Sequence, residues 1–476
     1  RQKMKKYLIY QNQAPKTLEA IKNKNCGWFF TTKPDDFKKI PGSPIAYWVS
    51  PKFLSIFNVN EKLRDYGINP ATGMQTGDNN VFIRYWHEIS EQRWYKKWFP
   101  LNDGGNVRKW YGNFRSCINW ENDGQEIRAH QSSVIRNAQY FFRKGATWNR
   151  ISSSFFAIRY LPEGFIFDQA GDSFFVENEN DLFLMTGFLN SHIGFLVMKV
   201  ICPTLNTTAG NLELFPYPKN CKSFLPKIAS IVSALIRISK IDWDSYEISW
   251  DFTSLPLLKM KKENWETSLE LPKGGKQLRD SNEKSLCCLK YPLSTSLKDA
   301  YSKQRHHWQS LTLDMLRMEE EINKIFIDTF GLQNEIDSFV SLTEVTLTCN
   351  PYYRYEVRKT EGESEIVENN CIEESQISSS LFFPAIKELE DKLLLDTLKE
   401  LISYAVGCMM GRYSLDKPGL IYANAGNEGF DPSQYKTFPA DDDGIVPVCD
   451  IDWFADDATP RLVEFIKTVF GVETLD

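Results

Sequence analysis

Gly164-Phe165-Ile166-Phe167-Asp168-Gln169-Ala170-Gly171-Asp172-Ser173-Phe174-Phe175-Val176-Glu177-Asn178-Glu179-Asn180-Asp181-Leu182 is the stretch where the chain changes its period. Before it, from Gly73 onward, short aromatic and β-branched runs alternate with turn signals. These are Gly77-Asp78-Asn79, Asn102-Asp103-Gly104-Gly105, Asn122-Asp123-Gly124, Pro162-Glu163-Gly164 and Ala170-Gly171-Asp172. Such punctuation predicts strands. After it, Leu182, Leu184, Phe188, Leu189, Ile193 and Val197 fall at helical spacing, and the pattern predicts a helix over 181–201. A second helix is expected over 225–241, with Ile228, Ile231, Val232, Leu235 and Ile238 on one face. In a third, Trp308, Leu311, Met315, Met318, Ile322 and Ile325 alternate by three and four and form a packing seam. A fourth runs over 389–410 and ends at Gly411. The fold class is therefore α+β: a mixed strand-rich domain followed by long helices and a helical, acidic C-terminal body.

Working outward, residues 1–68 hold short strand-like runs at 7–10, 27–31 and 45–50, separated by Pro34, Pro41 and Pro44. Polar residues 260–284, with Lys273-Gly274-Gly275-Lys276, read as a linker, and 361–380 as an acidic, Ser-rich loop. Asp441-Asp442-Asp443-Gly444 reads as a solvated turn. The 476 residues carry 56 Lys and Arg against 62 Asp and Glu, so the whole is mildly acidic. That balance hides a segregation. Residues 81–160 hold 13 basic and 6 acidic residues and six of the 13 tryptophans, whereas residues 351–476 hold 11 basic and 25 acidic residues. A basic, aromatic window beside an acidic body suits anion binding. Ten cysteines without a CxxC pair argue for a reducing compartment, against a disulfide scaffold and against a cysteine-built zinc site. No run approaches the ~18 apolar residues of a membrane span. The chain opens on Arg1, which suggests a piece of something longer.

Five histidines, none at metal-ligand spacing, leave no metal site to assign. His87 with Glu91 and Glu126 with His130 are four apart, but both pairs lie in the strand-like region, where that spacing aligns nothing. GxSxG, P-loop and GxGxxG motifs are absent. Asn350-Pro351-Tyr352-Tyr353 is close to the NPPY of amino-methylating DNA methyltransferases, where polar groups hold the base's amino group and an aromatic ring stacks on it. Its third position is Tyr rather than Pro, and no glycine-bearing strand-to-helix turn precedes it. It reads better as a loop after a strand at 342–347, so no catalytic residue is assigned, and these four are the nearest candidates. In the basic window, Trp94 to Trp98, Arg108 to Asn113 and Arg143 to Arg150 interleave cations with flat rings. Arg84, Lys96, Lys97, Arg108, Lys109, Arg143 and Lys144 are candidates for phosphates. Asn79, Asn113, Thr147 and Asn149 are candidates for base edges or positioning.

The strings Gly73-Met74-Gln75-Thr76-Gly77-Asp78-Asn79-Asn80-Val81-Phe82-Ile83-Arg84, Leu189-Asn190-Ser191 and Leu212 to Pro218 resemble the target recognition domains of Type IIG-like modification enzymes. With Lys97 to Pro100, Arg108 to Asn113, Gly164 to Asp168, Pro203 to Asn206 and Gly411 to Leu420, the chain resembles the PglX family, the adenine-specific DNA methyltransferases of BREX phage defence. The resemblance implies a connector at 1–68 from a missing catalytic lobe, a target recognition domain at 69–220 and a helix with polar linker at 221–290. It continues as a helical arm at 291–345 and an acidic, mainly helical region at 346–476. It implies sequence-specific reading of double-stranded DNA for N6-adenine methylation in the cytoplasm, with Thr76, Gly77, Trp110 and Tyr111 joining the DNA-binding set. S-adenosylmethionine would serve the parent enzyme, with none expected on this chain. The partners are DNA, the methyltransferase lobe of the same polypeptide, and other BREX proteins. The rival expectation is an assembly module that binds proteins through its acidic C-terminal surface.

Overall fold

Glycine-rich turns and short extended runs close two four-stranded sheets in the computed structural model of the chain. The structure describes residues 15–26, 29–57, 63–152, 155–259, 296–355, 387–422, 429–451, 453–454 and 456–472. The run at 7–10, the linker at 260–284 and the loop at 361–380 lie outside the described residues. The strands are β1 (Ile68–Ala71), β2 (Ile83–Tyr85), β3 (Trp98–Asn102), β4 (Ser116–Asn119), β5 (Gly145–Trp148), β6 (Ile158–Leu161), β7 (Ile166–Phe167) and β8 (Ser173–Val176). One sheet has the order β1-β8-β5-β6 and is antiparallel throughout, with Ile68 opposite Val176 and Thr147 opposite Arg159. The other has the order β2-β4-β3-β7, and only β3 and β7 run parallel. β4, β5, β6 and β8 are buried along their whole length, so their continuous apolar character reflects cover on both faces.

Helices supply that cover: α1 (Glu121–Ala129), α2 (Glu179–Asn190), α3 (His192–Ile201), α4 (Leu225–Trp243), α5 (Leu297–Phe330), α6 (Lys387–Met409) and α7 (Ala458–Phe470). Asn178 caps α2, and Glu179 and Asp181 oppose its dipole in the first turn. Ser296 caps α5, and Gly331 ends it in the left-handed region at φ +66. Ile228, Ile231, Val232, Leu235 and Ile238 of α4 are all buried. Trp308, Met315, Ile322 and Ile325 of α5 are buried as well, while Leu311 and Met318 sit at the rim. One core runs from Ile40 to Leu393 around α2, α4 and α5. A second joins Trp86, Trp94 and Trp98 to Trp250, Tyr404, Tyr413, Phe465 and Phe470. The second sheet is thus fastened to the C-terminal helices by aromatic packing.

Several local expectations change. The helix expected over 181–201 is two helices meeting at 78°. Ser191, the last cap residue of α2, is also the N-cap of α3, where its hydroxyl accepts from Gly194 N. Residues 29–31 and 45–50 form no strand; Ile45, Tyr47 and Trp48 are exposed and have no partner strand among the described residues. Residues 342–347 hold a single tight turn, Leu342–Glu344, capped by Ser341. Glu126 lies on a helix, α1, and not on a strand. It accepts from Asn119 (2.8 Å), while His130 faces Ser133. Among the described residues no single helix is long and apolar enough to cross a membrane.

Candidate nucleic-acid interface

The basic window splits into a buried set and an exposed set. The loop between β3 and β4 carries the buried one. Trp110, Gly112 and Asn113 have positive φ there, and this backbone turns Arg108 and Lys109 inward. Arg108 pairs with Asp242 of α4, side chains 3% and 0% exposed, and donates to Tyr111 O (2.8 Å) and Thr348 Oγ1 (2.7 Å). Burial alone would lower the Arg108 pKa, but Asp242 together with the nearby Tyr353 and Tyr246 outweighs it and the net shift is upward. Asp242 also accepts from the backbone of Thr348 (2.7 Å) and Cys349 (2.9 Å). Lys109 Nζ and Trp110 Nε1 both donate to Glu319 of α5, each at 2.7 Å. This segment is a clamp joining the sheets to α4 and α5. Its cations are spent on carboxylates, which takes Arg108 and Lys109 out of reach of a phosphate in this conformation.

The same holds for several other residues singled out in the sequence. All six tryptophans of the window are buried, so they serve the cores and offer no stacking platform. The Tyr111 ring lies under the Lys240 ammonium, 5.1 Å from it. Thr147 is buried and bonded to Asn102 and to the carbonyls of Gly171 and Asp172. Asn113 and Asn149 hold the Gly105–Asn106 backbone. Thr76 is buried and donates to the side chain of Asn79. Asn350 caps the turn Pro351–Arg354, accepting from Tyr352 N (3.1 Å), and donates to the carbonyls of Leu342 and Val345, both at 2.8 Å. Tyr352 is buried, and Tyr353 donates to Val107 O (2.5 Å). These four residues form a packed capped turn whose polar atoms are already engaged.

The exposed set lies on the loops and the β2 edge. Gly77 (φ +79) is exposed in the loop after β1, where a Cβ would fall 2.8 Å from His130 Nδ1, and Asn79 is exposed at the start of the helical turn Asn79–Phe82. Arg84 on edge strand β2 packs over Trp98 and donates to Asn80 O (2.5 Å). Lys96 is exposed. Lys97 is half-buried beside Glu121 (3.3 Å). Arg143 is exposed over the Tyr140 ring, and Lys144 pairs with Glu179 (2.6 Å) at the surface. Sequence reasoning missed a cluster on this edge: Arg115 lies over the exposed Tyr85 ring, and His87 stacks on it at 5.8 Å. Burial, then Arg412, lowers the His87 pKa. The alternation Arg84, Tyr85, Arg115 around an edge strand was the available signal. Arg93, Arg136 and the half-buried Arg150 add to the exposed cations. Two carboxylates behind the loops are held toward neutrality by burial, Asp168 up to about 7 and Asp172 up to about 6. Among the described residues no group of three or more His, Cys, Asp or Glu could hold a metal.

The arrangement defines an α+β body whose sheet-edge loops present cations and amides, clamped from within to long helices. No protein-family profile matches the chain. It is similar to the adenine-specific methyltransferase BrxX of Escherichia coli O9:H4 (strain HS), 35% identical over 481 aligned positions and 98% of this chain. It is also similar to the adenine-specific methyltransferase PglX of Lacticaseibacillus casei (strain Zhang), 31% identical over 482 positions and 96% of this chain. The match takes up 34% of each relative, so the chain spans about a third of their length.

Proposed function

We propose that this chain is the DNA-reading portion of a BREX adenine-specific methyltransferase, recognising a sequence in double-stranded DNA for N6-adenine methylation that marks host DNA as self. The observation that carries the reading is the 35% identity to BrxX across 98% of the chain. On this reading a methyltransferase lobe of the same polypeptide supplies the S-adenosylmethionine pocket and receives the flipped adenine. The phosphate contacts fall to the accessible cations Lys96, Lys97, Arg143 and Lys144, with Arg84, Arg93, Arg115, Arg136 and Arg150 added. Asn79 and its neighbour Asn80 are the exposed amides available to base edges. Arg108, Lys109, Trp110, Asn113, Thr147 and Asn149 position the loops and touch no DNA.

Selection from a randomised duplex pool at physiological salt tests the reading. Enrichment of an asymmetric word containing adenine is the expected result, and no retention even at low salt would overturn it. That failure would favour an assembly module. One observation points that way: Ile445, Val448, Ile451, Trp453 and Phe454 are between 53% and 87% exposed beside Asp441, Asp442 and Asp443.

A further inference from the structure

Ile445, Val448, Ile451, Trp453 and Phe454 are 65%, 87%, 66%, 75% and 53% exposed, five large apolar side chains within ten residues. A full aromatic side chain offers about 150–250 Å², so at these exposures the five present on the order of 500 Å². The largest apolar patch of an ordinary monomer is about 300–600 Å², and each partner gives about 800 Å² to a standard interface. The backbone that carries them is fastened at both ends. Asp441 N donates to Met409 O (2.7 Å) at the end of α6, and the Asp441 carboxylate accepts from Asp443 N (3.1 Å) and Gly444 N (3.0 Å). Buried Asp457 accepts from Cys449 N (3.0 Å), and Ala458 N at the start of α7 donates to Pro447 O (2.9 Å). Val446 packs on the second core. The segment is thus held in place before any partner arrives, which lowers the ordering cost of binding.

The charge of the same stretch narrows what can cover it. Residues 441–457 hold seven Asp and no Glu, Lys or Arg. Asp442, Asp443 and Asp450 are exposed there. Such carboxylates repel the phosphates of a nucleic acid and the anionic surface of a membrane. A second copy docked face to face would set the same carboxylates against one another. A protein surface with an apolar groove bordered by Lys and Arg meets both demands. Its groove buries the aliphatic and aromatic side chains, with Trp453 of the residue type that most often anchors an interface. Its cations pair with the Asp side chains and set partner and register.

We propose that Ile445, Val448, Ile451, Trp453 and Phe454 form a docking surface for a protein partner whose apolar groove is bordered by Lys and Arg. This docking does not rest on the DNA reading above. The test uses the whole chain and three labelled helical peptides as probes. The first has a Leu face edged by Lys, the second carries Glu in place of Lys, and the third Ser in place of Leu. Fluorescence anisotropy is expected to show binding of the Leu/Lys peptide, weakened by salt, and at least about tenfold weaker binding of the other two. The double variant Trp453→Ala, Phe454→Ala is expected to weaken the Leu/Lys peptide about tenfold. Its thermal midpoint should match the wild type, because both side chains are exposed. No binding of the Leu/Lys peptide, or equal binding of the Leu/Glu or Ser/Lys peptide, would overturn the partner chemistry. Leu/Lys binding unchanged in the double variant would overturn the surface. Sedimentation of the chain alone is a further check: self-association that the double variant abolishes would make the occupant a second copy and overturn the proposal. Duplex affinity is expected to be equal in wild type and double variant; a loss would assign the surface to nucleic acid instead. None of these outcomes bears on whether the sheet-edge loops read DNA, which the duplex selection decides.

Discussion

At the scale of single residues, charge type and charge use come apart. Arg108 and Lys96 look alike in the sequence, yet one is locked to Asp242 and the other stands in solvent. Arg108→Ala leaves the buried Asp242 carboxylate without its cation and is expected to cost about 3–5 kcal/mol, read as a lowered urea midpoint. Lys96→Ala and Arg143→Ala are expected to leave that midpoint within about 0.5 kcal/mol. Together they should lower duplex affinity and its salt slope in fluorescence anisotropy. Asp172 gives a pH prediction. Its buried carboxyl has its pKa raised from 3.8 to about 6, so the folded state holds a proton that the unfolded state releases between those values. Stability therefore falls as pH rises from about 4 to 6, by about 2–3 kcal/mol from this group. Denaturation midpoints across that range should show the fall in the wild type and a smaller one in Asp172→Asn. The tetrad Asn350 to Tyr353, read from the sequence as a loop, is a capped turn: its Asn is a helix cap with all its polar atoms in use.

At the scale of elements, the helices were the most legible part. The apolar faces of α4 and α5 follow a local period, and the structure buries most of the residues that the period selects, with Leu311 and Met318 left at the rim. The junction of α2 and α3 was not legible, because the apolar pattern runs through it. What breaks the helix there is the Ser191 cap and a close approach of backbone. A Cβ on Gly194 would meet Phe188 O at 2.0 Å. Gly194→Ala is accordingly expected to cost at least about 2–3 kcal/mol, measured as a lower thermal midpoint. Strands at 29–31 and 45–50 failed for the opposite reason. Their local composition suits a strand, but a strand exists only where a neighbour offers a ladder, and none does among the described residues.

At the scale of the whole molecule, the tryptophans of the basic window report the architecture. Trp86, Trp94 and Trp98 join the second sheet to α6 and α7 through Trp250, Tyr404 and Phe465, with Trp94 and Trp250 centroids 4.3 Å apart. The acidic C-terminal region is thus fixed behind the cationic edge. Phe465→Ala, which removes a fully buried ring from that junction, is expected to cost about 3–5 kcal/mol. Protease cleavage and tryptophan emission should report loosening at both the second sheet and α7; a change confined to α7 would contradict a shared core.

The sequence by itself determined the α+β class, the positions of the long helices, the segregation of charge and the resemblance that points to DNA methylation. Each of these depends on period, composition or contiguous strings, which are local properties. Only the tertiary structure decided which cations are free. The partners of Arg108 and Lys109 lie 134 and 210 residues away. It also decided that the carbonyls of Gly104, Gly105 and Asn106 are taken by side chains from after β5, from β6 and from the β3–β4 loop. A carboxylate brought close in space neutralises a charge regardless of its distance along the chain, and no pattern in one dimension encodes that meeting.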